Sequence, residues 1–226
     1  MVPFSFAGEE FALVAGRALY WPREKALLVA DLHLEKASFF ARFGQMLPPY
    51  DSRETLERVA QAVGETGARR VFCLGDNFHD TGGAARLEPH AAGMLDALVR
   101  VTDWVWITGN HDQGVVPGGV ALAELAVNGL LLRHEAKRGE TLPELSGHFH
   151  PKLQVTLHGR RIVRPCAVVS DTRMILPAFG ALTGGMNAAD PAILKALQPA
   201  RAVDAVVAAG GKLARFPLWR SESIAI

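Results

Sequence analysis

Seven side chains able to hold a divalent cation are spaced along this 226-residue chain, most of them where an apolar run stops. Asp31-x-His33 follows Leu27-Leu28-Val29-Ala30, and Gly75-Asp76 follows Val71-Phe72-Cys73-Leu74. Gly109-Asn110-His111-Asp112 comes after Trp104-Val105-Trp106-Ile107, and His134 after Leu130-Leu131-Leu132-Arg133. Gly147-His148-Phe149-His150-Pro151 adds a pair without so clean a run before it. Asp31, His33, Asp76, Asn110, His134, His148 and His150 offer two carboxylates, one amide oxygen and four imidazoles. That mixture suits Mn²⁺, Fe²⁺ or Zn²⁺ better than Mg²⁺ or Ca²⁺, which take oxygen almost exclusively. There are ligands enough for two ions. One carboxylate must bridge if the ions are to sit ~3.5–4 Å apart for in-line displacement at phosphorus, and Asp76 is the candidate. Such a centre keeps net positive charge, which draws in a phosphate and turns a trapped water into metal-bound hydroxide near neutral pH.

Asp31 and His33 lie two residues apart, as do His148 and His150, so in extended backbone each pair points to one side. His111 follows Asn110 directly and points elsewhere, which suits a general acid aimed at the leaving oxygen, with His79 or Asp80 placed to orient it. A lone histidine is ordinarily a packed or surface residue. Here five of the eight histidines fall in the motif segments around Asp31, Asp76, Asn110 and Gly147, a grouping that chance explains poorly. His90 in a helix and His158 at a hairpin tip read as structural or solvated, Trp104 and Trp106 as core, and Gly184-Gly185 as a turn. Asp112 and Asp80 read equally well as turn residues or as supports.

The elements that must position these groups follow from the apolar pattern. Phe11–Val14 and Ala18–Trp21 form a hairpin around Gly16, and Ala26–Ala30 is a strand covered on both faces. Ala37 to Phe43 reads as a loop with one helical turn. Asp51 or Ser52 caps a helix carrying Leu56, Val59, Ala60 and Val63, closed by Gly64 and Gly67, which completes a βαβ-like unit from Ala26 to Leu74. A second helix runs from about Pro89 through Leu98 into the Trp104–Ile107 strand. Val120 to Ala126 is a short helix or strand, and Asn128-Gly129 signals a type I′ hairpin. Strands then dominate: 153–157 against 161–163, then 174–176, with a helix from Asp190-Pro191 to Leu197 and a last hairpin of 205–208 with 213–216. The expected class is α/β: two packed mixed β-sheets flanked by helices, as one domain over 1–226.

Composition narrows the function classes. The chain is 49% hydrophobic and 21% charged, as in a globular protein that buries a full core. Net charge is +1, so the whole-molecule field argues for neither nucleic acid nor membrane. A basic excess between Arg133 and Arg173 is a solvated face or a phosphate-attracting rim. Cys73 and Cys166, isolated in apolar runs, are buried thiols of a reducing compartment. No stretch nears the ~20 apolar residues of a membrane span, and the first eight residues do not resemble a signal peptide, so a cytoplasmic location is expected.

The ordered set Asp31-x-His33, Gly75-Asp76-x-x-His79, Gly109-Asn110-His111-Asp112, His134 and Gly147-His148-x-His150 resembles the calcineurin-like metallophosphoesterases. The resemblance implies one metal site from Asp31, His33, Asp76 and His150 and a second from Asp76, Asn110, His134 and His148. It also implies His111 as acid or transition-state stabiliser, paired with His79, on a four-layer α/β/β/α sandwich. Asp-Leu-His-Leu-Glu-Lys and Gly-His-x-His-Pro are similar to the ligase-associated DNA damage response endonucleases. That group implies a manganese-dependent phosphodiesterase or nuclease in DNA repair, with DNA as substrate and DNA ligase and helicase as partners. The rival readings are a phosphomonoesterase or cyclic nucleotide phosphodiesterase of the same fold, and a non-catalytic metal-binding module.

Overall fold

A computed structural model describes residues 1–112, 116–157 and 159–221; His158 lies outside the described residues. The first half of the chain contributes β1 (Val2–Phe6), β2 (Glu9–Val14), β3 (Ala18–Trp21), β4 (Ala26–Val29), α1 (Lys36–Ala41), α2 (Asp51–Thr66), β5 (Arg70–Leu74), α3 (Gly83–Arg86), α4 (Pro89–Val101), β6 (Asp103–Ile107) and β7 (Val120–Leu122). Its seven strands form one sheet in sequence order, antiparallel from β1 to β4 and parallel from β4 to β7.

The second half contributes β8 (Glu124–Val127), β9 (Leu130–Arg133), β10 (Glu144–Ser146), β11 (Lys152–Leu157), β12 (Arg160–Pro165), β13 (Ala167–Val169), β14 (Arg173–Ile175), α5 (Pro191–Ala196), β15 (Ala202–Ala209) and β16 (Lys212–Arg220). A second seven-stranded sheet runs β16-β15-β13-β14-β10-β9-β8, and β11 and β12 form a separate two-stranded sheet.

Alternate residues of the apolar runs serve different layers. Leu28, Phe72, Leu74 and Ile107 of the first sheet meet Leu132, Leu145, Met174 and Leu176 of the second in the central core. Leu27, Val29, Val71 and Cys73 face the other way, onto Leu56 and Val59 of α2 and Leu95 and Leu98 of α4. Val168, Ile175 and Val203 pack on Ile193 and Leu197 at the outer face of the second sheet. This is an α/β/β/α sandwich. Because both faces of β4 and β5 are covered, no polar residue alternates along them, and each buried Leu or Phe is worth roughly 1.5–3 kcal/mol.

Several expectations need correction. Val120 to Ala126 is not one element: β7 closes the first sheet and β8 opens the second, with Ala123 as the crossing point. The stretch read as a loop with one helical turn holds the six-residue helix α1, so the helical part is longer than expected. Asp51 and Ser52 do not cap α2, whose N-cap is Tyr50, and Gly64 sits inside the helix while Gly67 ends it in the left-handed conformation. β1, β10, β13 and α3 were not foreseen. β10 escaped notice because Glu144 is buried in it, 3.2 Å from the Arg133 and 3.1 Å from the Arg173 guanidinium. Arg133 and Arg173 are therefore internal ion-pair partners and not part of a solvated basic face. Asn128 and Gly129 both have positive φ, as a type I′ turn between β8 and β9 requires.

Candidate metal centre

All seven candidate ligands leave the carboxyl ends of strands or the segments just beyond them, where ligands collect in open parallel sheets. Asp31 and His33 follow β4, Asp76 follows β5 and Asn110 follows β6 in the first sheet; His134 follows β9, and His148 and His150 follow β10, in the second. Past the strands the chains stay zipped. The Asp31 N–H donates to Gly75 O at 3.2 Å and the His33 N–H to Asp76 O at 2.9 Å.

The ligand pairs do not converge by the extended backbone their spacing suggested. Asp31, His33, Asp76, His148 and His150 have φ of 51, 44, 46, 74 and 48°, all left-handed. Non-glycine residues pay for that conformation, and such outliers gather at functional sites. Two glycines make room for the ligands. A Cβ on Gly75 would overlap the His134 ring, and one on Gly147 would lie 2.6 Å from Asp31 Oδ2.

Two groups of ligand atoms result, each within 4.8 Å of one another: Asp31, His33, Asp76 and His150, and Asp76, His134 and His148. Asp76 belongs to both. In the first group His33 Nε2 is 3.2 Å from His150 Nε2 and 3.8 Å from Asp76 Oδ2, and His150 Nε2 is 3.5 Å from Asp31 Oδ1. In the second, His134 Nε2 lies 2.9 Å from Asn110 Oδ1, 3.0 Å from His148 Nδ1 and 3.4 Å from Asp76 Oδ1. His134 Nδ1 is 3.2 Å from Leu74 O, a carbonyl that can only accept, which favours the proton on Nδ1 and turns the Nε2 lone pair toward the other ligand atoms. Imidazole nitrogens and carboxylate and amide oxygens crowded this closely are the donor set of a cation site, and these residues fit a divalent ion. His148 turns its Nε2 toward Glu135 at 3.8 Å, a neighbour the sequence reading passed over.

Burial disfavours the charged form of three of the imidazoles, His33, His79 and His148. It is the largest cause pushing the His33 pKa down to about 2, followed by the positive charge of His150, Lys36, His79 and His111. Burial, then His134, lowers His148. Burial, then Lys36 and His111, brings His79 to about 4.

His111 lies at the rim, with Nε2 3.9 Å from Asp76 Oδ2 and a side chain 39% exposed. Its main-chain N–H donates to Asp76 Oδ1 at 3.1 Å. His79 does pair with it, but through its carbonyl and a ring stack. Asp80 does not orient it, because Arg86 engages the Asp80 carboxylate. Asp112 ties the loops together. It accepts from the N–H groups of Asn77, Phe78 and Gly109 at 2.9, 3.1 and 2.9 Å and from Asn77 Nδ2 at 2.7 Å. Asp51 and Ser52, misread as caps, brace the turn after His33: Ser52 Oγ donates to Glu35 Oε1 at 2.8 Å, and Asp51 accepts the Ala37 N–H at 3.1 Å. Gly185 follows a turn at 181–182, and a Cβ there would overlap His150 O. His90 is exposed in α4, and Trp104 and Trp106 are buried. An open groove of about 410 Å³ leads to the rim between Phe39, His79, Asp80, Thr81, Asn110 and His111.

Residues 25–210 match the family described as calcineurin-like phosphoesterase. The crystal structure of Pseudomonas putida nuclease MPE superposes with a TM-score of 0.70 at 30% identity, covering 96% of this chain and 98% of that one. Yfce, a phosphoesterase from E. coli, aligns at a TM-score of 0.41 with 14% identity over 86% of this chain and 99% of that one. Comparison with curated protein sequences gave no match.

Proposed function

The chain belongs to the calcineurin-like phosphoesterase family of metal-dependent hydrolases, and from that premise we propose that it hydrolyses phosphodiester bonds of nucleic acid at a centre of two divalent cations, with Mn²⁺ the first candidate. One observation carries the reading: Asp76 is common to two ligand groups, as a bridging carboxylate must be. Asp31, His33, Asp76 and His150 would hold one ion, and Asp76, Asn110, His134 and His148 the other. Bound there, the cations supply positive charge against phosphoryl oxygens and lower the pKa of water.

This chain's own residues do the rest. Imidazole ligands bring no negative charge, so with its cations bound the centre would stay positive and attract a phosphate. His111, at the rim beside the open groove, gives the Nε2 proton of its imidazolium to the leaving oxygen and is left as the neutral ring with Nδ1–H still donating to the His79 carbonyl, which fixes Nε2 as the nitrogen that exchanges the proton. The 30% identity to a nuclease supports nucleic acid ahead of a phosphomonoester or a cyclic nucleotide. A place in DNA repair beside ligase and helicase belongs to the same proposal.

The test is metal analysis joined to a substrate panel. Chelated protein should hydrolyse neither bis-nitrophenyl phosphate nor nicked, single-stranded or duplex DNA, and should recover with Mn²⁺ as it takes up two ions per chain. Activity indifferent to chelation, or confined to mono-nitrophenyl phosphate, would overturn the proposal.

A further inference from the structure

Among the described residues, the cations that are not solvent-exposed pair with carboxylates, as Arg58, Arg70, Arg86, Arg133 and Arg173 do, with three exceptions. The exceptions are Arg17, Lys36 and Lys152, and they share one side of the metal centre. Lys36 begins α1, three residues past His33; burial lowers its pKa, the Asp51 carboxylate, which makes no ion pair with it, offsets part of that, and the Lys152 ammonium lowers it again. Lys152 follows His150 by two residues. Arg17 lines the same groove as His150 and Lys152, a space of about 130 Å³.

The loop 180–183 holds two of these cations through neutral oxygens. Arg17 Nη1 donates to Gly180 O at 3.3 Å and Lys152 Nζ to Thr183 O at 3.4 Å. Carbonyls orient a cation without cancelling its charge. Glu54, whose charge reaches Arg17, is itself engaged by Arg58. The groove continues past the shared wall of Arg17 and Pro165 into a second one of about 210 Å³, where Arg164 adds an exposed guanidinium. A cationic track thus leaves His150 and runs away from the centre.

We infer that this track is a subsite for the phosphates of a nucleic-acid strand flanking the bond to be cleaved, with Lys36 and Lys152 nearest the centre and Arg17 and Arg164 farther along. The inference rests on the phosphodiesterase reading and names its substrate as a chain. A monoester or a cyclic nucleotide has no phosphate to place there, and would leave these half-buried cations without an ion-pair partner. A strand places one on each, releasing counterions as it does so.

The experiment measures kcat/KM for a single-stranded oligonucleotide and for bis-nitrophenyl phosphate, together with binding of a fluorescein-labelled oligonucleotide to protein held in chelator. In Arg17→Ala/Arg164→Ala the ratio of the two kcat/KM values should fall about tenfold, and the salt slope of oligonucleotide binding should shrink by about 0.7 for each lost phosphate contact. Arg69→Ala/Lys195→Ala, an equal loss of two charges at exposed positions that line neither groove, should leave ratio and slope as in the parent. Equal losses on both substrates, or an unchanged binding slope, would overturn the subsite. If the parent cleaves neither substrate with Mn²⁺, the phosphodiesterase reading fails. The subsite is then judged on binding alone, where an unchanged slope refutes it and a reduced one upholds it.

Discussion

His111 Nδ1 lies 2.9 Å from the main-chain carbonyl oxygen of His79, and the two imidazoles stack with centroids 5.5 Å apart and planes 16° from parallel. A carbonyl can only accept, so the Nδ1 proton is fixed and Nε2 is the atom free to exchange a proton with substrate. His111→Ala should keep its metal and lose roughly 10²–10⁴-fold in kcat. His79→Ala retains the carbonyl and should lose far less, under about tenfold. Single-turnover rates with metal analysis separate the two, and equal losses would mean the His79 ring matters as much as its backbone.

Asp76→Asn should disturb both ligand groups, whereas His134→Ala touches only one. We expect the first variant to bind neither ion at stoichiometric Mn²⁺ and the second to retain one. Affinity in Asp76→Asn should drop beyond the 10–100-fold typical of groups that merely orient a ligand. Isothermal titration of chelated protein counts the sites, and two intact sites in Asp76→Asn would remove the bridge.

Gly147→Ala should separate metal binding from folding. The added methyl meets Asp31 Oδ2 at 2.6 Å and the Ala30 methyl at 2.8 Å, and none of these can retreat far in a buried site. Metal affinity should fall at least about tenfold. Gly64→Ala is the contrast, since nothing lies within 4 Å of its Cβ inside α2 and a helical alanine stabilises by roughly 0.5–1 kcal/mol. Melting temperatures with and without Mn²⁺ would read both.

Chelated protein should lose stability as pH falls. Burial lowers His33, His79 and His148, so below about pH 6.5 the unfolded chain takes up protons that the folded one refuses. The contribution is whole above that pH, erodes on acidification, and stops changing only near the folded values of about 4 for His79 and about 2 for His33. Melting at pH 7.5, 6 and 5 tests it. His33→Asn, with a side chain that tolerates left-handed backbone, should show a shallower slope, and parallel slopes would contradict the assignment.

The first sheet was legible because β4, β5 and β6 are buried on both faces, so each is an uninterrupted apolar run ending at a ligand. The second sheet was harder to read. Glu144 puts a carboxylate inside β10, and its compensation comes from other strands, Arg133 at the end of β9 and Arg173 at the start of β14. The positions of the candidate ligands were readable, since type and order alone bring them to one place. Their backbone was not: residue spacing gives no sign that Asp31 and His33 are left-handed, because the cost is met by bonds to Gly75 and Asp76 on another strand. Support from Asp51 and Ser52 was hidden for the same reason, each bracing a loop it does not belong to, whereas Asp112 was readable equally well as a support or a turn residue and ties its own loop to that of Asn77.

The chain passes between its two sheets at Ala123, and ligands come from both sides of that crossing. Neither half can assemble the centre alone, so an ion that binds there rivets one slab to the other. Loading it and docking the halves become a single event, and its free energy is spent on the seam. Stripping the ion should therefore loosen the molecule between its layers before it frays at its edges, and amide exchange in β4, β5 and β9 would quicken ahead of exchange in α2.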